Sequence, residues 1–536
     1  MDEPILEICN LSIGLNAPAG KEVVDDVSLT VWRRKITCLI GESGSGKSVT
    51  SSAVMKLLPG GLRLVGGQIL LDGHEMTGAN AEQLADLRGR VVSMVFQEPL
   101  TALNPVMRVG DQIGELLKIH RPKMGSQERK RRILELLGDV HLPDPPATLM
   151  AFPHQLSGGQ RQRVVIAMAL ALEPALIIAD EPTTALDVTT QAQILKLFRE
   201  LMTRHESGIL LITHDFGVVT EVADTVYVMQ NGQVVEHGSA ADILKAPQHP
   251  YTRSLIAAVP KYRFRSPLPP SDTPLVSAHD LELTYTTRGF TGRTRQVKAL
   301  DKVSFNIDPG EVLGVVGESG SGKSTLARTL MLFETPDNGQ LQVFGEDATK
   351  LRGQALRRYR ADVQMVFQDP FKSLNPRRKV GLSLTEGPIE NGVSKAEAVG
   401  RAHELLDRVS LPRDAMNRFP HEFSGGQRQR ICIARALAMR PRLVIADEAV
   451  SALDVSVQAQ VLALFEGLKN DFGFAMLFIT HDLRVASNIC DRVLVMHRGR
   501  VVEVGPTQTI FTAPQAAYTR ELINAIPGEW DLTPAA

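Results

Sequence analysis

The chain repeats itself. GESGSGKSVT at Gly41–Thr50 recurs as GESGSGKSTL at Gly317–Leu326, and VFQEPLTALNP at Val95–Pro105 recurs as VFQDPFKSLNP at Val366–Pro376. PHQLSGGQRQR at Pro153–Arg163 returns as PHEFSGGQRQR at Pro420–Arg430, and IIADEPTTALDV at Ile177–Val188 as VIADEAVSALDV at Val444–Val455. ITHD stands at both Ile212–Asp215 and Ile479–Asp482. The second copy trails the first by 276 residues at the first motif and by 267 at the last. So small a drift across so many motifs marks a duplication with short insertions and deletions. The period is too long for a solenoid, whose units run to about 20–50 residues. Two complete domains in tandem are expected, over 1–261 and 275–536. A proline-rich linker, RFRSPLPPSDTP within 262–274, separates them.

Each half alternates short apolar runs with Ala/Leu/Arg-rich stretches such as Val164–Leu172. Ile36–Ile40 and Val312–Val316, Ala175–Ala179 and Leu443–Ala446, and Ile209–Thr213 and Met476–Thr480 read as buried parallel strands. The fold class is α/β with a mostly parallel core sheet. Leu6–Val31 and Val276–Ile307 are strand-rich and suit an antiparallel side sheet.

Composition removes several classes of function. Lys and Arg number 59 against 60 Asp and Glu, so the basic excess of a nucleic-acid binder is missing. Cys9, Cys38, Cys432 and Cys490 lie far apart, without Cys-x-x-Cys spacing for disulfide, zinc or iron–sulfur chemistry. The longest apolar helical stretch stops at Glu173-Pro174, short of the ~20 residues a membrane span needs. MDEPILEICN is acidic where a signal peptide is basic. ERKRR at Glu128–Arg132 reads as a solvated helix face, and Arg288, Arg293, Arg295 and Lys298 as a basic hairpin loop.

Gly41–Ser48 and Gly317–Ser324 each match G-x-x-x-x-G-K-[ST] between a strand and a helix, the context a phosphate loop requires. Gly41, Ser43, Gly44, Gly46, Lys47, Ser48 and Val49 form the first phosphate-binding set. Gly317, Ser319, Gly320, Gly322, Lys323, Ser324 and Thr325 form the second. Glycines let successive N–H groups turn toward phosphate oxygens, the lysines reach the β- and γ-phosphates, and Ser48 and Ser324 suit Mg²⁺. Asp180-Glu181 and Asp447-Glu448 each close an apolar strand. There the Asp can hold Mg²⁺ and the Glu can polarise water. Ser157, Gly158, Gly159 and Gln160, with Ser424, Gly425, Gly426 and Gln427, place a helix-capping Ser before glycines that can admit phosphate.

In this order the motifs resemble those of ATP-binding cassette (ABC) ATPase domains, over nearly the whole chain. The resemblance implies Q-loop glutamines (Gln97, Gln368) at the catalytic and metal positions and catalytic switch histidines (His214, His481). It also implies the Ser-Gly-Gly-Gln signatures and nucleotide-contacting Asp187 and Asp454. It further implies a helical subdomain in each half, ATP and Mg²⁺ as cofactors, and a single-chain pseudo-dimer. Two ATP are then sandwiched head to tail, each between one half's phosphate loop and the other's signature. Neither half lacks a catalytic position, so both sites should hydrolyse. The family stacks an aromatic on adenine; Tyr285 serves in the second half, where the first has Leu15. Ala449 stands in the second half where proline often follows the Glu.

HPYTRSLIAAVP at His249–Pro260 echoes AYTRELINAIP at Ala517–Pro527. This terminal element resembles the peptide/nickel importer class, and the fused layout and length are most like the ATPase subunit of a microcin C/oligopeptide importer. The resemblance implies two integral-membrane permeases, contacted through Glu98–Val109 and Asp369–Val380, after Gln97 and Gln368. It implies a separate solute-binding protein and a peripheral place on the cytoplasmic face of the inner membrane. A nickel or glutathione importer ATPase is the alternative. A third reading, a soluble cassette ATPase acting on ribosomes, would call for a long charged linker and a basic balance, both missing here.

Overall fold

The computed structural model describes residues 3–16, 21–183, 186–260, 262–265, 268–269, 271–288, 294–451 and 453–528. The chain forms two compact units that divide between Val259 and Pro260. The expected linker therefore begins inside the second unit. Tyr262 is buried there, edge-on to the Phe511 ring at 5.4 Å and stacked on Phe264 at 6.0 Å.

The first unit has ten strands among its described residues: β1 Pro4–Leu15, β2 Glu22–Trp32, β3 Ile36–Ile40, β4 Leu62–Leu71, β5 His74–Glu75, β6 Val92–Val95, β7 Leu176–Asp180, β8 Gly208–Ile212, β9 Thr225–Gln230 and β10 Gln233–Ser239. They form an antiparallel four-stranded side sheet, β2-β1-β4-β5, and a six-stranded core sheet, β10-β9-β3-β8-β7-β6. All core neighbours pair in parallel except β9 and β10. The second unit repeats both sheets with β11 Val276–Arg288, β12 Thr294–Ile307, β13 Val312–Val316, β14 Asn338–Val343, β15 Glu346–Asp347, β16 Val363–Val366, β17 Leu443–Asp447, β18 Ala475–Ile479, β19 Arg492–His497 and β20 Arg500–Pro506.

The continuous apolar runs are explained by cover on both faces. Along β3, Ile36, Cys38 and Ile40 pack with one cluster while Leu39 packs with another. Ile209 and Leu211 of β8 face the first cluster, and Leu210 and Ile212 the second. One cluster joins the core sheet to the side sheet. The other joins it to helices that include Val109–His120, Ser126–Asp139 and Gly158–Leu170. This helical layer is the helical subdomain. Its counterpart in the second unit packs through Val380, Leu384, Leu405 and Leu406.

The ERKRR run lies on the helix Ser126–Asp139, mostly exposed, with Arg132 paired to Glu173 at 2.6 Å. Of the basic loop, Arg293 and the side chains of Arg288 and Arg295 lie outside the described residues. Lys298 pairs with Asp301 at 2.5 Å and Glu282 at 3.0 Å, which gives it a structural partner set.

Strand order positions the site. β3 lies between β8 and β9, so the loops after β3, β7 and β8 leave the same carboxyl edge of the sheet. Ligands of open α/β sheets bind at that edge, where strand order switches.

Candidate functional site: a phosphate-loop centre in each unit

β3 ends at Ile40, and the chain turns at once. Gly41 has φ +151°, and a Cβ there would stand 2.2 Å from the Met229 carbonyl oxygen. Gly317 repeats this with φ +148° and 2.1 Å to the Met496 carbonyl. Only glycine lets the loop pass so close to its neighbouring strand. The helices Lys47–Val54 and Lys323–Leu330 open at Gly46 and Gly322 with no side-chain cap, which leaves their first N–H groups to a ligand.

Lys47 is buried and donates from Nζ to the carbonyls of Gly41 at 2.7 Å and Glu42 at 2.8 Å. Lys323 does the same to Gly317 and Glu318, at 2.7 and 2.8 Å. Burial holds the Lys323 ammonium below its usual range, against the pull of nearby carboxylates. The N–H groups of Glu42 and Glu318 donate to Tyr251 Oη at 3.0 Å and Tyr518 Oη at 3.2 Å.

Ser48 Oγ donates to Asp180 Oδ1 at 3.1 Å, and Ser324 Oγ to Asp447 Oδ1 at 3.3 Å. Burial pushes Asp180 up to about 6, with the Ser48 bond opposing and the Glu181 charge adding. Burial raises Asp447 too.

The adjacent glutamates are gripped from two sides. Gln97 Nε2 donates to Glu181 Oε2 at 2.7 Å, and His214 Nδ1 lies 3.1 Å from Oε1. Gln368 Nε2 donates to Glu448 Oε2 at 2.8 Å, and His481 Nδ1 lies 3.3 Å from that oxygen. Burial works against the Glu448 charge, but the His481 bond and the His481 and Lys323 charges overcome it and hold the carboxyl below its usual range. Burial likewise opposes the His481 charge, and the bond to Glu448 raises that imidazole nonetheless. Both glutamates take a left-handed φ, at +45° and +47°, while their N–H groups donate to Ile212 and Ile479. A non-glycine residue in that region carries strain of about 1–2 kcal/mol, and such strain collects at functional sites. Sequence reasoning had no signal for it.

The signature serines cap their helices. Ser157 Oγ accepts from Gln160 N–H at 3.3 Å while Gln160 Oε1 accepts from Ser157 N–H at 3.0 Å. Ser424 and Gln427 repeat the box at 3.3 and 3.1 Å. The two glycines differ in role. A Cβ on Gly158 or Gly425 meets open space, whereas one on Gly159 stands 2.5 Å from Thr190 Cγ2 and one on Gly426 2.6 Å from Val457 Cγ1. Gly159 and Gly426 are therefore needed for packing against the neighbouring helix. Asp187 and Asp454 stand just before the helices Val188–His205 and Val455–Phe472.

Tyr285 lies on β11 opposite Val297, half-buried against the side-sheet cluster. Leu15 holds the matching end of β1 and is 44% exposed.

A model of the ABC transporter family matches residues 24–184 and 300–451. The chain belongs to the ABC transporter ATPases. A model of the oligopeptide/dipeptide transporter C-terminal region matches 235–280 and 502–531, which contain both Tyr-Thr-Arg elements. The protein is thus an ATPase of the oligopeptide/dipeptide importer type, with two tandem cassettes that bind ATP.

Among its relatives, the glutathione import ATP-binding protein GsiA of Pectobacterium atrosepticum is 45% identical over 98% of this chain and 90% of that protein. GsiA of Escherichia coli K12 is 44% identical over 98% and 89%. These relatives replace the expected particular likeness to a microcin C importer with the broader importer type. Cassettes of known structure are also similar. CbiO1 from Clostridium perfringens, part of the transporter complex cbiONQ, has 26% identity and a TM-score of 0.41 over 45% of this chain and 92% of its own. MJ0796 bound to ADP and phosphate has 29% identity and a TM-score of 0.39 over 43% and 98%.

Proposed function

We propose that the chain is the energy-coupling subunit of an importer for short peptides, with glutathione, itself a tripeptide, within its range. Similarity to glutathione import ATP-binding proteins over 98% of the chain carries this reading. Two complete hydrolytic sets support it. Each ATP is shared between the phosphate loop of one half and the signature of the other, in the family's manner.

Backbone N–H groups of the phosphate loops and Lys47 and Lys323 hold the β- and γ-phosphates. The oxygen donors Ser48 and Asp180, with Gln97, suit a hard divalent cation, as do Ser324 and Asp447 with Gln368. A buried carboxyl pushed up to about 6 gains the countercharge it lacks when a cation binds. Mg²⁺ held there would neutralise charge on the phosphate oxygens. Glu181 and Glu448 orient the attacking water and take its proton as its oxygen bonds to the γ-phosphorus. ADP leaves with the electrons of the broken bond. Each carboxylate has about four lone-pair sites, so a water can join the Gln and His partners. His214 and His481 fix the carboxylate.

Coupling needs membrane partners, because no helix among the described residues is long and apolar enough to cross a membrane. The chain would sit peripherally on the cytoplasmic face, on two permeases served by a solute-binding protein. Exposed Val106 and Phe371 within Glu98–Val109 and Asp369–Val380 suit that contact. A groove of about 280 Å³ beside the first Q-loop, lined by Met94, Phe96, Ala102 and Met168, adds an apolar seat.

The test is purification from native membranes in mild detergent. Two polytopic permeases should co-purify, and binding protein loaded with glutathione should stimulate ATP hydrolysis. Ribosomal proteins without permeases would refute the importer reading. Stimulation by other peptides but not glutathione would remove glutathione alone.

A further inference from the structure

A duplicated chain of hydrogen bonds ties the C-terminal element of each unit to its own phosphate loop. In the first unit it starts at Glu236 on β10. That carboxylate accepts from the N–H groups of Gln248 at 2.6 Å and His249 at 3.1 Å, where the helix Pro250–Ala258 opens. The pinned helix carries Tyr251, whose Oη accepts from Glu42 N–H at 3.0 Å.

The second unit repeats each link. Glu503 on β20 accepts from Gln515 N–H at 2.8 Å and Ala516 N–H at 3.1 Å. Tyr518 Oη accepts from Glu318 N–H at 3.2 Å, and its ring stacks on His497 at 4.0 Å. The surrounding residues have diverged, with Ala516 where the first unit has the capping His249. The links persist all the same.

The peptide held in this way is the one that seats the lysine. The Gly41–Glu42 peptide gives its N–H to Tyr251 Oη while its carbonyl, that of Gly41, accepts from Lys47 Nζ, and the Gly317–Glu318 peptide is placed likewise between Tyr518 and Lys323. A shift of that peptide moves the ammonium that must meet phosphate. We propose that Tyr251 and Tyr518 are positioning residues for Lys47 and Lys323, through which the C-terminal element sets the nucleotide affinity of its own half. This rests on the reading of Gly41–Ser48 and Gly317–Ser324 as ATP-binding loops. A Tyr-Thr-Arg motif that marks the importer type in sequence thereby acquires a role at the nucleotide.

The test uses the full chain with tyrosines changed in pairs, so that an intact site cannot mask an altered one. Binding of a non-hydrolysable ATP analogue with Mg²⁺ and the melting temperature without nucleotide are both measured. Tyr251→Phe/Tyr518→Phe keeps the rings and removes only Oη. It should raise the dissociation constant about five-fold, equivalent to about 1 kcal/mol, with the melting temperature unchanged. Glu236→Gln/Glu503→Gln should shift affinity in the same direction, and less than additively with the tyrosine pair. An unchanged dissociation constant in the tyrosine pair, whatever its melting temperature, overturns the proposal. Lys47→Ala/Lys323→Ala separates the two levels: if it binds the analogue like wild type, the phosphate-loop reading itself fails. If it loses binding while the tyrosine pair does not, only the tyrosine role fails.

Discussion

Changing both glutamates to glutamine tests the assignment of the water-activating group. Glu448 lies in a close frame, with Gln368 Nε2 at 2.8 Å and His481 Nδ1 at 3.3 Å, and Glu181 in its equivalent. The amide keeps the shape and one acceptor oxygen, so at least one of these contacts survives. Alanine would instead leave the Gln and His facing a void. What disappears is the negative charge and the basic lone pair. General-base catalysis contributes about 10²–10⁴ in rate, or about 3–5 kcal/mol of barrier. Glu181→Gln/Glu448→Gln should therefore slow steady-state phosphate release at least about a hundred-fold while ATP still binds. The assay is phosphate release at saturating MgATP, with nucleotide occupancy measured in parallel. Hydrolysis by the double variant within about ten-fold of wild type would refute the assignment, since no base of that strength could then have been lost. A fall in occupancy equal to the fall in rate would refute it too, by showing a binding defect.

The signature glycines should separate cleanly. Gly159→Ala drives a Cβ to 2.5 Å from the stiff Thr190 side chain and should lower stability by about 1–3 kcal/mol in thermal or urea unfolding, with recovery on adding Thr190→Ala. Gly158→Ala meets open space, so unfolding should be unchanged while ATPase activity falls if phosphate approaches there. Tyr285→Ala should weaken nucleotide binding at the second site about five-fold in a site-resolved assay, and Leu15→Ala should hardly affect the first. Lys47→Ala should abolish nucleotide loading in the first half and leave the second loaded, as read by site-specific crosslinking.

The core strands were legible because their signal is local. A five-residue run dominated by apolar side chains and covered on both faces marks Ile36–Ile40 and Val312–Val316, and the structure gives those strands the same bounds. The phosphate loops were legible because their glycines answer backbone demands within a few residues, as the φ of Gly41 and Gly317 shows. The two signature glycines, adjacent and identical in sequence, were not separable: only Thr190, carried in by another helix, shows which of them is needed for packing.

The sequence by itself determined the duplication, the α/β class with its side sheet, and the residue types of each candidate site, since repeats, periodicity and motif spacing are written along the chain. Tertiary structure alone decided the αL turn that presents Glu181 and Glu448 and the grip of Gln97 and His214 on one carboxylate. It also decided the bond from Glu42 N–H to Tyr251 Oη, across 209 residues. Such contacts depend on which strands lie side by side in the sheet. That order is set by burying both faces of the sheet at once, and no local stretch of residues records it.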